Sequence, residues 1–151
     1  MRIVAVSRGG RLAVDSFLRR GFWELLEPAD FAFDGGGFVR IPRGFPFDGA
    51  SIPPRFRSLI QSLTNVGHVG FALHDYGYAT GASWITPKGI RIGISRQRAD
   101  RMAWALCNYL GMTEIDAAEV YAALRLGGGG SYHHRPASES AADFIRRITP
   151  P

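Results

Sequence analysis

The chain has 151 residues, 46% of them apolar, and a formal net charge of +5. That suffices for one domain with its own core, while the single cysteine, Cys107, excludes intramolecular disulfides and multi-cysteine metal sites. No apolar run approaches the roughly 18 residues of a membrane span, and MRIVAVSRGGRLAV lacks the apolar core and cleavage site of a secretory signal.

The positive charge is almost all arginine, Lys88 being the only lysine. Arg19, Arg20, Arg55, Arg57, Arg96, Arg98 and Arg101 are scattered and accompany no nucleic-acid motif, so nucleic acid is not an expected partner. An anionic lipid surface is compatible with the charge.

In chain order, residues 1–6 read as a short strand followed by a Gly9-Gly10 turn. Residues 11–20 mix helical spacing with a glycine stop at Gly21. Residues 22–26 and 31–33 read as strands about a turn at Pro28-Ala29-Asp30, and residues 38–41 as a third after the Asp34 to Gly37 turn. The first 47 residues thus predict a small antiparallel sheet whose aromatics form core. Asp48-Gly49 reads as a turn. Ser51 and Pro53-Pro54 open a predicted helix over 55–63, and Thr64 or Asn65 caps the next, which runs to about Thr80.

Residues 81–94 predict a loop or short hairpin. Ser95 caps a helix whose apolar positions Ala99, Met102, Ala103, Leu106, Cys107 and Leu110 fit a 3.6 period, closed by Gly111. Cys107 falls on its buried stripe. Thr113, with Asp116 three residues later, opens a last helix through Ala118, Tyr121, Ala122 and Leu124. A glycine run from Gly127 then leads to an arm holding His133-His134 and an amphipathic stretch over 141–148. The expectation is an α+β fold: an N-terminal antiparallel sheet on three to four helices as one domain over 1–126, and a Gly-rich linker with a flexible arm over 127–151.

The chemistry concentrates in GFALHDYGY. On a helix His74 and Tyr78 share a face, and Asp75 points about 100° away. If the Asp100 helix packs antiparallel to this one, Asp100 reaches the His74 ring. A neutral histidine so held takes a proton from water while the carboxylate fixes its tautomer. Asp75 is then placed to hold a hard cation such as calcium, with Asp48 as a second candidate ligand. The competing reading is a histidine bonded to a carboxylate only to satisfy polarity. Asp100 has a rival partner in Arg96, four residues earlier, and Asp48 a rival role in an Asx-turn. Tyr78 and Tyr121 are candidate supports or plain core tyrosines. A zinc site from His68, His74 and Asp75 suffers from the six-residue spacing of the two histidines.

Four segments in order, GFPFDGASIPPRF, ALHDYGY, SRQRADRMAWALCNYLGM and VYAALRLGG, resemble an uncharacterised family of small proteins encoded by phages and prophages. The resemblance spans about residues 22–128. It implies a phage-related protein of the virion or bacterial host cytoplasm, with other phage proteins as partners. HDYGY and ADRMAWALC are also similar to the paired catalytic helices of secretory calcium-dependent phospholipases. That similarity implies His74 as base, Asp100 as its partner, Tyr78 as a support for Asp100 and Asp75 as a calcium ligand. Gly77 and Ala99 replace the cysteines of that pattern, and no glycine-rich calcium loop immediately precedes the helix. Two functions follow: a small ester or lipid hydrolase, or a structural virion or tail-associated protein with His74 and Asp100 in a polar core cluster.

Overall fold

The structure, a computed structural model, describes residues 1–7, 14–18, 22–47, 65–81 and 84–127, with backbone alone at 14–18, 22–24, 46 and 65–71. The expected helix over 55–63, the Asp48 turn, the Gly9-Gly10 turn and the arm beyond Gly127 lie outside the described residues.

The chain is α+β. Its strands are β1 (Ile3–Val6), β2 (Val14–Leu18), β3 (Phe22–Leu25), β4 (Ala29–Phe33), β5 (Phe38–Ile41), β6 (Pro46–Phe47), β7 (Trp84–Ile85) and β8 (Arg91–Ile92). The described helices are α1 (Asn65–Thr80), α2 (Arg96–Tyr109) and α3 (Glu114–Gly127). The strands make two antiparallel sheets rather than one: β1-β4-β5-β7-β8 and β2-β3-β6.

Two details correct the sequence reading and a third extends it. Residues 14–18 form a strand despite their helical spacing, because pairing with β3 outweighs weak local preference. Ala29 and Asp30 belong to β4, not to a turn. Ala29 is fully buried, and Asp30 stands opposite Arg40, from which it accepts two 2.7 Å hydrogen bonds. The hairpin expected at 81–94 exists and extends the N-terminal sheet, since Phe38 pairs with Ile85.

Alternation fills the sheet's inner face. Ala29, Phe31 and Phe33 of β4 and Val39 and Ile41 of β5 point inward. Trp84 caps the layer beside Phe33, with ring centroids 5.0 Å apart. Gly37 permits this, because a Cβ there would overlap the Trp84 indole.

α1 lies between the sheets and α2, and Ala72, Leu73, His74, Tyr76, Tyr78 and Thr80 are all buried. A helix covered on nearly every side carries its polar residues into the core with it. That is how HDYGY comes to be interior. The α1–α2 pair is antiparallel: the Gly81 carbonyl accepts from the Ile94 amide, Tyr78 meets Arg96, and His74 meets Asp100. Gly77 sets the close crossing, since a Cβ there would stand 3.1 Å from both Ala99 Cβ and Met102 Cε.

The ends of α2 follow from sequence. Ser95 accepts from the Arg98 amide as N-cap. At the other end Gly111, at φ +83°, donates to the Asn108 carbonyl and Met112 to that of Cys107, a Schellman closure. Thr113 caps α3 by accepting from the Asp116 amide at 3.1 Å. The inward face of α3 is Ala117, Val120 and Leu124, packed with Ala103 and Cys107 of α2. Of the residues named for this helix from sequence, Leu124 is buried, and Ala118 and Ala122 are exposed.

Candidate functional site

His74, Tyr78, Asp100 and Arg125 meet where the three helices come together. Asp100 is wholly buried and His74 2% exposed. A buried carboxylate is costly unless its lone pairs are filled, and those of Asp100 are. Oδ1 faces His74 Nε2 at 3.2 Å and accepts the Tyr78 hydroxyl at 2.5 Å. Oδ2 accepts from Arg125 Nη1 at 2.8 Å and has Arg96 Nε at 3.9 Å.

Arg96 binds the three helices together. Its Nε donates to the Tyr78 hydroxyl at 3.1 Å. Its Nη2 donates to the carbonyls of Leu124 and Arg125 at 2.9 and 2.6 Å, at the end of α3 where uncapped carbonyls collect negative charge.

The two ring nitrogens of His74 differ. Nε2 faces Asp100, so the neutral ring carries its proton there and leaves the Nδ1 lone pair available. Nδ1 is buried without a hydrogen-bond partner. The nearest carboxylate, Asp75 Oδ1, lies 3.5 Å away, an ion-pair separation without hydrogen-bond alignment.

Burial alone would lower the His74 pKa. Hydrogen bonding to Asp100 and the closeness of both carboxylates outweigh it, and the pKa rises above 6.5. Burial pushes Asp100 the other way, but bonds from His74, Tyr78 and Arg125 hold its carboxyl below 3.8. Burial and the bond to Asp100 push Tyr78 up to about 12. Tyr78 therefore remains a donor at any physiological pH.

The structure thus joins His74, Asp75, Tyr78, Arg96 and Asp100. The Arg96–Asp100 contact, considered from sequence as an alternative to His74–Asp100, exists beside it. Tyr121 does not join them. It is half-buried on α3, with its ring 6.5 Å from that of Trp104. Arg125 occupies the place at Asp100 that the sequence left open. Its signals were a cation in the last turn of a helix and its place in the VYAALRLGG segment, neither of which assigns it a partner. Asp48 and the His68 side chain lie outside the described residues. Among the described residues no group of three or more histidine, cysteine or acidic side chains could hold a metal ion. Calcium takes six to eight oxygens, and of the two candidate ligands only Asp75 is among the described residues. Cys107 is buried between α2 and α3, and burial pushes its thiol up to about 11, leaving it unreactive. No described helix is long and apolar enough to cross a membrane.

Fold and site together define an α+β domain with a buried histidine–carboxylate cluster at a three-helix junction. Residues 23–124 match the family described as Protein of unknown function (DUF1353), and the chain belongs to that family. No curated protein and no solved structure matches it.

Proposed function

We propose that the chain is a small, phospholipase-like hydrolase of esters or lipids in which His74 activates water. The observation that carries this reading is the unpartnered Nδ1 of a ring whose other nitrogen faces a fully held carboxylate. A buried polar atom without a partner is uncommon and calls for a reason. A water at Nδ1 would give up a proton to it as its oxygen attacks the ester carbonyl. Asp100 would stabilise the imidazolium, which then passes the proton to the departing alcohol. Tyr78 and Arg125 would keep Asp100 oriented and ionised.

On the same reading the protein is phage-associated, acting in the virion or the bacterial host cytoplasm on an anionic lipid surface or beside other phage proteins. Support comes from the motif resemblance over DGASIP, HDYGY and the α2 and α3 segments. The test is hydrolysis of mixed phospholipid and short-chain ester substrates, with calcium and with chelator, by the wild type and His74→Ala. Turnover lost in the variant supports the dyad, and chelator sensitivity assigns Asp75 to a cation. An inactive wild type rejects the proposal.

One observation favours a second reading, a structural virion or tail-associated protein. The cluster is deeply buried, and Arg96 and Arg125 stitch α3 to α1 and α2 as a polar core would. Under that reading His74→Ala unfolds the protein at lower denaturant and no substrate is turned over.

A further inference from the structure

We propose that the cleft at the start of α2 binds a phosphate group, with Arg98 and Arg101 as its ligands. The cleft has a volume of about 320 Å³ and is lined by Met1, Ser95, Gln97, Arg98 and Arg101, with no carboxylate among them. Arg98 and Arg101 are three residues apart on α2, a spacing that brings side chains together on one face.

Four of the eight described arginines are neutralised by an acidic group. Arg2, Arg40, Arg96 and Arg125 each have a carboxylate within 4 Å. Among the described residues Arg98 and Arg101 have none. Two neighbouring cations facing one concavity repel each other, and an anion between them removes that cost.

Arg98 is also held in place. Its guanidinium carbon lies 4.1 Å from the centroid of the Trp84 ring. Trp84 is itself fixed by Phe33 and by the bare backbone of Gly37. A guanidinium stacked on a rigid ring has lost its freedom already and presents its edge N–H groups outward. That fork suits a tetrahedral oxyanion. Ser95 and Gln97 add a hydroxyl and an amide, and the first turn of α2 contains no acidic residue to oppose an anion.

Both free phosphate and a lipid headgroup carry this chemistry. Arg101 is exposed on the outer face of α2, three residues from the partly exposed Trp104. Phosphate binding requires no turnover, so it stands or falls separately from the hydrolase proposal.

The test is a titration of the ¹⁵N-labelled full chain with inorganic phosphate, at ionic strength held constant with chloride. The amides of Ser95, Gln97 and Arg98 and the Trp84 indole N–H are followed. The expected result is saturable shifts at these groups, with affinity reduced about tenfold or more in Arg101→Gln. Arg98→Lys, which keeps the charge and loses the stacked fork, weakens binding as well. Arg43→Gln, in the turn between β5 and β6, leaves it unchanged. Arg101 is exposed, so its variant retains the fold, which the thermal midpoint checks.

Shifts that chloride reproduces, or equal affinity in Arg101→Gln, overturn the proposal. Sedimentation with phosphatidylglycerol and phosphatidylcholine vesicles identifies the source. Vesicle binding lost in Arg101→Gln points to a headgroup, and phosphate binding without vesicle binding points to the free anion.

Discussion

Tyr78 donates its hydroxyl to Asp100 Oδ1 at 2.5 Å, the same oxygen that faces His74 Nε2 at 3.2 Å. One carboxylate oxygen is therefore shared by two residues one helical turn apart on α1. The phenol fixes where that oxygen lies, and the oxygen fixes the imidazole. Tyr78→Phe removes one donor from a buried charge and leaves the ring packing intact. The expected loss is about 1.5–3 kcal/mol of stability, the usual worth of a hydrogen bond to a charged group. Urea unfolding measures it.

Asp100 is the hub, and its removal costs more. Asp100→Ala leaves His74, Tyr78 and Arg125 facing a cavity with no acceptor, and should destabilise by about 3–5 kcal/mol. Asp100→Asn keeps the shape and the acceptor at Oδ1, but loses the charge and sets an amide NH2 against the Arg125 donor, so it recovers only part of that loss. Denaturant midpoints of the two variants should rank in that order.

Stability should depend on pH through His74. Its folded pKa is raised above the 6.5 of the free group, so the folded state binds the proton more tightly. The stabilisation is fully present below pH 6.5 and is lost as pH rises through the folded pKa. Unfolding free energy should therefore fall as pH rises from 6.5 through the folded value, by at most about 1.4 kcal/mol per pH unit. That slope should vanish in His74→Gln. Asp100 acts in the opposite direction. Its pKa is lowered below 3.8, and its contribution is lost only as pH falls through the folded value.

Gly37 and Gly77 are fixed by neighbours rather than by backbone conformation. A Cβ at Gly37 would enter the Trp84 ring, whereas one at Gly77 would press on Ala99 and Met102 at 3.1 Å. Gly37→Ala should cost about 1–3 kcal/mol through overpacking. Gly77→Ala should cost less, because the gain in helix propensity of about 1 kcal/mol offsets the squeeze. Thermal unfolding of the two variants gives the comparison.

What was legible in the sequence was mostly local. HDYGY has helical spacing, Ser95 and Thr113 are good caps, and Gly111 is a helix stop, so α1, α2 and α3 were readable with their ends. The meeting of His74 and Asp100 required one further assumption, antiparallel packing. Pairing between distant strands leaves no local mark, so the division into two sheets and the addition of β7 after α1 were not readable. Val14–Leu18 was ambiguous in sequence because its strand character depends on β3. α3 misled because alanines surround it, leaving the period ambiguous until Val120 and Leu124 are seen against α2. Arg125 reaches Asp100 only because α3 folds back on α2, a relation no spacing encodes.

If His74 accepts a proton from water through Nδ1, the pH dependence of ester hydrolysis follows the titration of its ring. Only the neutral ring is a base, and its pKa is raised. Wild-type rate should therefore climb with pH along a limb centred above 6.5. His74→Gln should abolish that limb, losing about a hundredfold or more in rate. A rate independent of pH, or turnover retained by His74→Gln, would rule out His74 as the base and leave the cluster as a polar core.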